Sequence, residues 1–443
     1  MPNTTLDRRA LLAGGPLAIG ALTTVPALAA RPVRNPAKPA FLWGTAGAAY
    51  QIEGGNEASD VWLLEHMSPT MFVEPSGDAD DVYHRIDEDL ALVASLGFNC
   101  HRFSIEWSRI EPEPGQISFA ALAYYRRILE TCHRLGLAPV VTFAHNSFPR
   151  WFAAAGGFET RDGVAPFVRY CQTVTRYMGD LISVAATLNE PNVNMLLSWM
   201  AQTQNGQAFL ATMRRAAVAA SGAPKWSSPL IGDPRTQQPL MIEAHARAYD
   251  AIKAASGGAF PVGVTLALNN DLPPRPESGL ASGVAAKQAQ VLTPWLNAPG
   301  DFVGVQNYSE WRVGPTVDLP FDPGLEMTQM DYPFAPRALE GVIRTVARAT
   351  NRPIYVTENG VATENDTRRI AFIGEAVKGV QACIADGIDV RGYIHWSLLD
   401  NWEWTNGYRP KFGLVAVDRG TFARTPKPSA TYFGGIARTG RVA

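Results

Sequence analysis

Eight short apolar runs recur along the chain, each bounded by turn residues. They are AFLWGTA (40–46), GFNCHRFS (97–104), LAPVVTFA (137–144), ISVAATLN (182–189), FPVGVTLA (260–267), DFVGVQNY (301–308), RPIYVTEN (352–359) and VRGYIHWS (390–397). Several are apolar at successive positions, the pattern of strands covered on both faces. Between most of them lie stretches of helical period, such as DVYHRIDEDLALVASLG (81–97), ISFAALAYYRRILETCHRLG (117–136) and TRRIAFIGEAVKGVQACIADG (367–387). Gly97 and Gly136 are plausible helix terminators.

Strand–helix alternation predicts parallel strands joined by crossovers. Eight such units predict an α/β fold, a single closed (β/α)8 TIM barrel, occupying residues 40–443. Two segments, about 195–235 and 309–335, break the pattern. They are expected as long loops at the C-terminal face, after strands 4 and 6.

In such a barrel, chemistry sits at the C-terminal ends of the strands. Those ends carry Arg102, His145, Asn189 with Glu190, Asn307 with Tyr308, Glu358 and Trp396. Solvated turns would explain one or two of these, not the whole set. Glu190 closes strand 4 in TLNEP (187–191), and Glu358 closes strand 7. The barrel would bring both over its axis. Two carboxylates facing across a sugar are the minimum equipment for cleaving a glycosidic bond. One is held protonated to donate to the leaving oxygen, and the other attacks the anomeric carbon or activates water. A carboxyl separation of about 5–5.5 Å gives retention and a wider one inversion.

Bulk properties narrow the field further. The chain has 443 residues, 46% hydrophobic and 18% charged, with a formal net charge of -2, so it has ample material for a large core. No basic run or basic helix face is present, which disfavours nucleic acid and membrane partners. The eleven tryptophans include candidates for stacking on sugar faces. The seven histidines and four cysteines show no metal-ligand spacing, so no metal is expected, and no cofactor is implied because two carboxyls and the substrate suffice for this chemistry. Cys100, Cys132, Cys171 and Cys383 sit in apolar surroundings and are read as buried free thiols.

The N-terminus has the layout of a targeting segment. Residues 1–30 carry Arg8 and Arg9, then an apolar stretch broken by Gly14, Gly15, Pro16, Gly20 and Pro26, and close on Ala27, Leu28 and Ala29. That predicts a cleaved twin-arginine-type signal peptide and an exported, periplasmic or secreted protein. Residues 31–39 read as a linker.

The motifs YQIEG (50–54), DVYHR (81–85), FNCHRFSIEWSRIEPEPG (98–115), TLNEP (187–191), VTENG (356–360) and WSLLDNWEWTNGYRPKFGLVAVD (396–418) stand in order along the chain. Together they resemble glycoside hydrolase family 1, the β-glucosidase family, over about residues 41–420. The resemblance implies a retaining β-glycosidase, most simply an exo-acting β-glucosidase working by double displacement on terminal, non-reducing β-linked sugars. Its partner would be a small β-glycoside or an oligosaccharide. By the same match Glu190 is the acid/base and Glu358 the nucleophile. Arg102 and Tyr308 position Glu358. Gln51, His145, Asn189, Trp396, Glu403 and Trp404 bind the non-reducing-end sugar. An acid at 403 would accept hydrogen bonds from hydroxyls and repel a phosphate, which favours an unphosphorylated sugar.

The chain departs from the family pattern in places. Asn146 follows His145 where the family usually has Trp, so a flat wall is missing or supplied by another residue. His101 stands where Tyr is common. NVNMLLSWMAQTQNGQ (192–207) replaces a glycine-rich helix start, and SEWRVGP (309–315) follows Tyr308. These departures gather around the leaving-group side, where Trp311 would border the entrance. Two rival readings remain: a related barrel with endo-glycanase or transglycosylase activity, or a non-catalytic sugar-binding protein.

Overall fold

The computed structural model describes residues 40–200 and 203–442, so the predicted signal peptide and linker lie outside the described residues. Eight strands close into a parallel barrel: β1 (Leu42–Ala46), β2 (Cys100–Ser104), β3 (Ala138–Ala144), β4 (Val184–Asn189), β5 (Val262–Ala267), β6 (Phe302–Asn307), β7 (Ile354–Asn359) and β8 (Val390–His395). Each pairs with its sequence neighbours, and β1 closes the ring against β8. Every predicted run contains one of these strands, shortened at its ends.

Side chains alternate between two cores. Leu42, Cys100, Val140, Val184, Phe302, Tyr355 and Ile394 come from seven different strands yet pack together, which only the barrel axis allows. Their neighbours Val141, Phe143, Ala185, Val303, Val305 and Val356 pack outward with the helices. That two-sided burial explains the near-continuous apolar strand sequences. Gly44 lets β1 approach β2, since a Cβ there would sit 2.3 Å from the Cys100 carbonyl oxygen.

The outer helices follow the expected periodicity. Val82–Ser95, Phe119–Arg134 and Asp366–Ala385 fill the three segments marked by helical period. Ser118 and Asn365 cap their helices by accepting from the Ala121 and Thr367 amides. Gly97 and Gly136 follow the first two helices with φ of 95° and 74°. Cys100, Cys132, Cys171 and Cys383 are buried and unbridged.

The expectation of a long loop over 195–235 is corrected. Val193–Leu197 is a short helix, and Thr203–Ser221 forms a longer one. Residues 208–220, AFLATMRRAAVAA, combine strong helix formers with a buried stripe, as Met213 and Ala217 pack with Val61, Leu64 and Trp226. Segment 309–335 is mostly irregular, as expected, apart from Glu310–Arg312, which pairs with Asn270–Leu272.

Two of the barrel's register shifts fall where the chemistry begins. Between β4 and β5, Ala186 pairs with Gly263 and Asn189 with Thr265, so β4 holds one extra residue. Between β6 and β7, Val305 pairs with Val356 and Gln306 with Glu358, so β7 holds one extra at Thr357. Strict alternation from Val184 and Tyr355 would turn Asn189 and Glu358 outward. The two bulges turn them inward to the barrel mouth.

Candidate active site

Arg102 lies in the middle of β2 and not at its end as the sequence suggests, on the face turned to the barrel axis, and is only 1% exposed. Its Nη1 donates to Glu358 Oε1 at 2.5 Å, and its Nη2 donates to Asn189 Oδ1 at 2.6 Å. Tyr308 donates its hydroxyl to Glu358 Oε2 at 2.5 Å. Both oxygens of Glu358 are therefore held, and the carboxylate has one orientation.

Gln306 was not among the expected site residues. Its amide donates to Asn189 Oδ1 at 2.8 Å and to Glu358 Oε1 at 2.9 Å, tying the two strand ends together. The signal that finds it is alternation: Phe302, Gly304, Gln306 and Tyr308 share the inner face of β6. The same alternation turns Asn307 outward. Its amide donates to the Leu268 and Ser309 carbonyls, so it braces loops instead of facing the cavity.

Glu190 follows Asn189 with φ of 44°, in the left-handed region that non-glycine residues seldom occupy. Its amide is anchored to the Thr265 carbonyl at 2.8 Å. The side chain lines the same cavity as Glu358 and Glu403. Burial, then the nearby Glu358 charge, hold the Glu190 carboxyl well above the usual carboxylate range. Burial also raises Glu358, but Arg102 and the Tyr308 hydroxyl oppose it. Burial and Glu358 push Glu403 up to about 8, against the Trp396 and Gln51 donors. Three acids thus share one cavity with the Arg102 cation, which is bonded to only one of them. They cannot all ionise together, and the proton settles away from the arginine.

The remaining expected residues form the opposite wall. Gln51 Nε2 donates to Asn401 Oδ1, the Trp402 carbonyl and Glu403 Oε2, at 3.2, 2.9 and 3.3 Å. The Asn189 amide donates to His145 Nε2 at 3.0 Å, and burial followed by the Arg102 charge keeps that imidazole neutral. The His145 ring stacks near Trp396 and Trp404, at 5.5 and 6.4 Å between centroids. Trp404 in turn stacks on Tyr50. These two indoles supply flat surfaces around His145, while Asn146 lines the cavity with φ of 55°. His101 is not part of the site: it faces Thr45 at 3.0 Å, and burial lowers its pKa to about 4. Gly360 permits the close approach of β7 to this wall, because a Cβ there would meet the Trp396 carbonyl at 1.9 Å.

The cavity has a volume of about 430 Å³, of the size that takes a small ligand. Among the described residues no group of His, Cys, Asp and Glu could hold a metal ion, and no helix is long and apolar enough to cross a membrane.

A closed parallel barrel whose mouth presents two unlike carboxylates and stacked indoles defines a sugar-processing barrel enzyme. The sequence profile of glycosyl hydrolase family 1 matches residues 34–300 and 303–441. The chain belongs to that family and is a glycoside hydrolase. It is 31% identical to the thermostable β-glucosidase B of Thermobispora bispora, over 90% of each chain. It is also 31% identical to a β-glucosidase of an Agrobacterium species, over 90% of this chain and 94% of that one. Among solved structures, that of β-glucosidase 1317 shares 60% identity with a TM-score of 0.88, over 90% of this chain and 99% of the other. A β-glucosidase of Thermotoga maritima in complex with deoxynojirimycin shares 25% identity with a TM-score of 0.79, over 91% and 98%.

Proposed function

We propose that the protein is an exported, retaining, exo-acting β-glucosidase with Glu358 as nucleophile and Glu190 as acid/base. The observation that carries this reading is the asymmetry of the two acids. Glu358 has both oxygens held by Arg102 and Tyr308, which favours a fixed, ionised carboxylate. Among the described residues Glu190 has no cationic partner bonded to it, and burial with the Glu358 charge favours the protonated acid.

The steps follow from that difference. Glu358 attacks the anomeric carbon while Glu190 gives its proton to the departing oxygen. The aglycone leaves as a neutral alcohol, and the sugar stays esterified to Glu358. Glu190, now ionised, takes a proton from water as that water attacks the anomeric carbon. The bond to Glu358 breaks, and both carboxyls return to their starting states with net retention. Asn189, held by Arg102, Gln306 and Thr265, is placed to meet a sugar hydroxyl. Gln51, His145, Glu403, Trp396 and Trp404 bind the terminal ring, and the described cavity-lining residues include no Lys or Arg to pair with a phosphate, which favours an unphosphorylated sugar. The names of the relatives support glucose as the glycone.

The test is a panel of p-nitrophenyl β-glycosides followed by proton NMR of early product. Highest kcat/KM on the glucoside, with β-glucose formed before mutarotation, is the expected result. α-Glucose appearing first would overturn retention.

Export rests on Arg8 and Arg9 ahead of the broken apolar stretch that ends at Ala29. The full chain, expressed in a host with twin-arginine transport, should place its activity outside the cytoplasm. Joint Arg8→Lys and Arg9→Lys substitution should retain the activity inside. An unchanged distribution would remove the export assignment.

A further inference from the structure

The cavity has two halves of different character. Around Glu358 the wall combines polar groups, Gln51, His145 and Glu403, with the Trp396 and Trp404 indoles. Beyond Glu190, on the side where the leaving group must depart, the chain turns into Val193–Leu197. There Met71, Val193, Leu196, Leu197, Leu230 and Trp311 face the cavity. Leu196 is buried, while the adjacent Leu197 is 45% exposed, so the apolar surface runs from the interior out to the mouth.

The asparagines of this segment are already engaged. Asn192 donates to the Ala267 carbonyl at 2.8 Å and accepts from the Ala267 amide at 3.0 Å. The Asn194 amide donates to the Pro229 carbonyl, clamping the short helix to the strip that carries Leu230. Asn192 has no amide hydrogen left for a ligand, because its second goes to the Val291 carbonyl, while Asn194 keeps one. Asn146, Asn194, Asn269, Tyr332, Thr405 and Asn406 leave scattered polar groups in the same cavity. They can meet single ligand groups, but they do not form a continuous polar wall for the hydroxyls around a whole second sugar.

Burying a hydroxyl without a partner is unfavourable, while burying a methylene against such a wall is favourable. We propose that the leaving-group half of the cavity takes an apolar aglycone, an alkyl or aryl alcohol, in preference to a second sugar. This rests on the glucosidase reading above, and it names the class of substrate that the reading leaves open.

The experiment compares methyl β-glucoside, octyl β-glucoside and cellobiose, none of which has an activated leaving group, by glucose release or consumption of the glucoside. A fully buried methylene contributes about a fourfold gain. Octyl β-glucoside should therefore exceed both methyl β-glucoside and cellobiose in kcat/KM by at least about tenfold. Leu197→Gln and Leu230→Gln, checked for folding by thermal melting, should each lower the octyl-to-methyl ratio by roughly three- to tenfold. Cellobiose matching or exceeding octyl β-glucoside overturns the proposal, as does a ratio unmoved in both variants. Absence of turnover on all three compounds and on p-nitrophenyl β-glucoside would instead sink the glucosidase reading itself.

Discussion

Replacing Glu358 with alanine is expected to lower kcat on p-nitrophenyl β-glucoside on the order of 100,000-fold, the scale seen when a nucleophile of a covalent mechanism is lost. That is about 7 kcal/mol of transition-state stabilisation. The loss is so large because the protein cannot substitute another group. Arg102, Tyr308 and Gln306 all aim at this one carboxylate. In the proposed roles Glu190 cannot stand in, because it starts protonated and faces the leaving group. The variant also has a diagnostic response to a small anion. Azide can enter the space left by the side chain, attack from the same face as Glu358, and yield the α-glucosyl azide. The measurement is steady-state turnover with and without azide, with the product anomer read by NMR. Rescue that gives the β-azide would exchange the two assigned roles.

Arg102→Met is expected to weaken both chemistry and folding. The guanidinium is buried and opposes the burial that raises the Glu358 carboxyl. Without it, Glu358 is a buried carboxylate lacking its cationic partner, a situation that destabilises a protein by about 3–5 kcal/mol. The sign of the pH effect follows directly. In the proposed mechanism Glu358 must be ionised to attack, and the arginine favours the ionised form. Removing the arginine raises the Glu358 pKa, so the acidic limb of the kcat/KM profile moves to higher pH. The expected fall in kcat/KM at neutral pH is about 100- to 1,000-fold, because an oriented charge beside the reacting carboxylate is lost. A pH–rate profile and a thermal melt check the two halves. An acidic limb that stays in place, in a variant that folds, would show that Arg102 does not govern the ionisation of Glu358.

The barrel was legible because a strand covered on both faces must be apolar at successive positions. That constraint survives in runs such as Ile354–Val356 and Val262–Leu266. Arg102, Glu190, Glu358 and Glu403 were legible because ionisable residues at strand ends or inside an ordered motif are hard to explain otherwise. Other features were hidden for physical reasons. Thr203–Ser221 starts with a polar turn containing Gly206, and its buried stripe is too narrow to announce a helix. Gln306 looked like a polar interruption of β6, because its partners come from strands distant in sequence. Asn307 looked like a site residue, yet its amide is used by neighbouring carbonyls. The bulges in β4 and β7 leave no pattern in one sequence, since nothing local distinguishes an extra residue from an ordinary one.

Those two extra residues change how the enzyme should be regarded as an object. A parallel barrel is close to a crystalline lattice, with a repeat that returns the same face every second residue. Such a lattice could close without the faults, with Asn189 and Glu358 turned towards the apolar helical layer, and it would then be inert. The reactive centre is a pair of dislocations in that lattice, each displacing the strand by one step just before it ends. Kinship in fold therefore carries no guarantee of activity. What must be inherited is the fault, placed near the end of each of two separate strands.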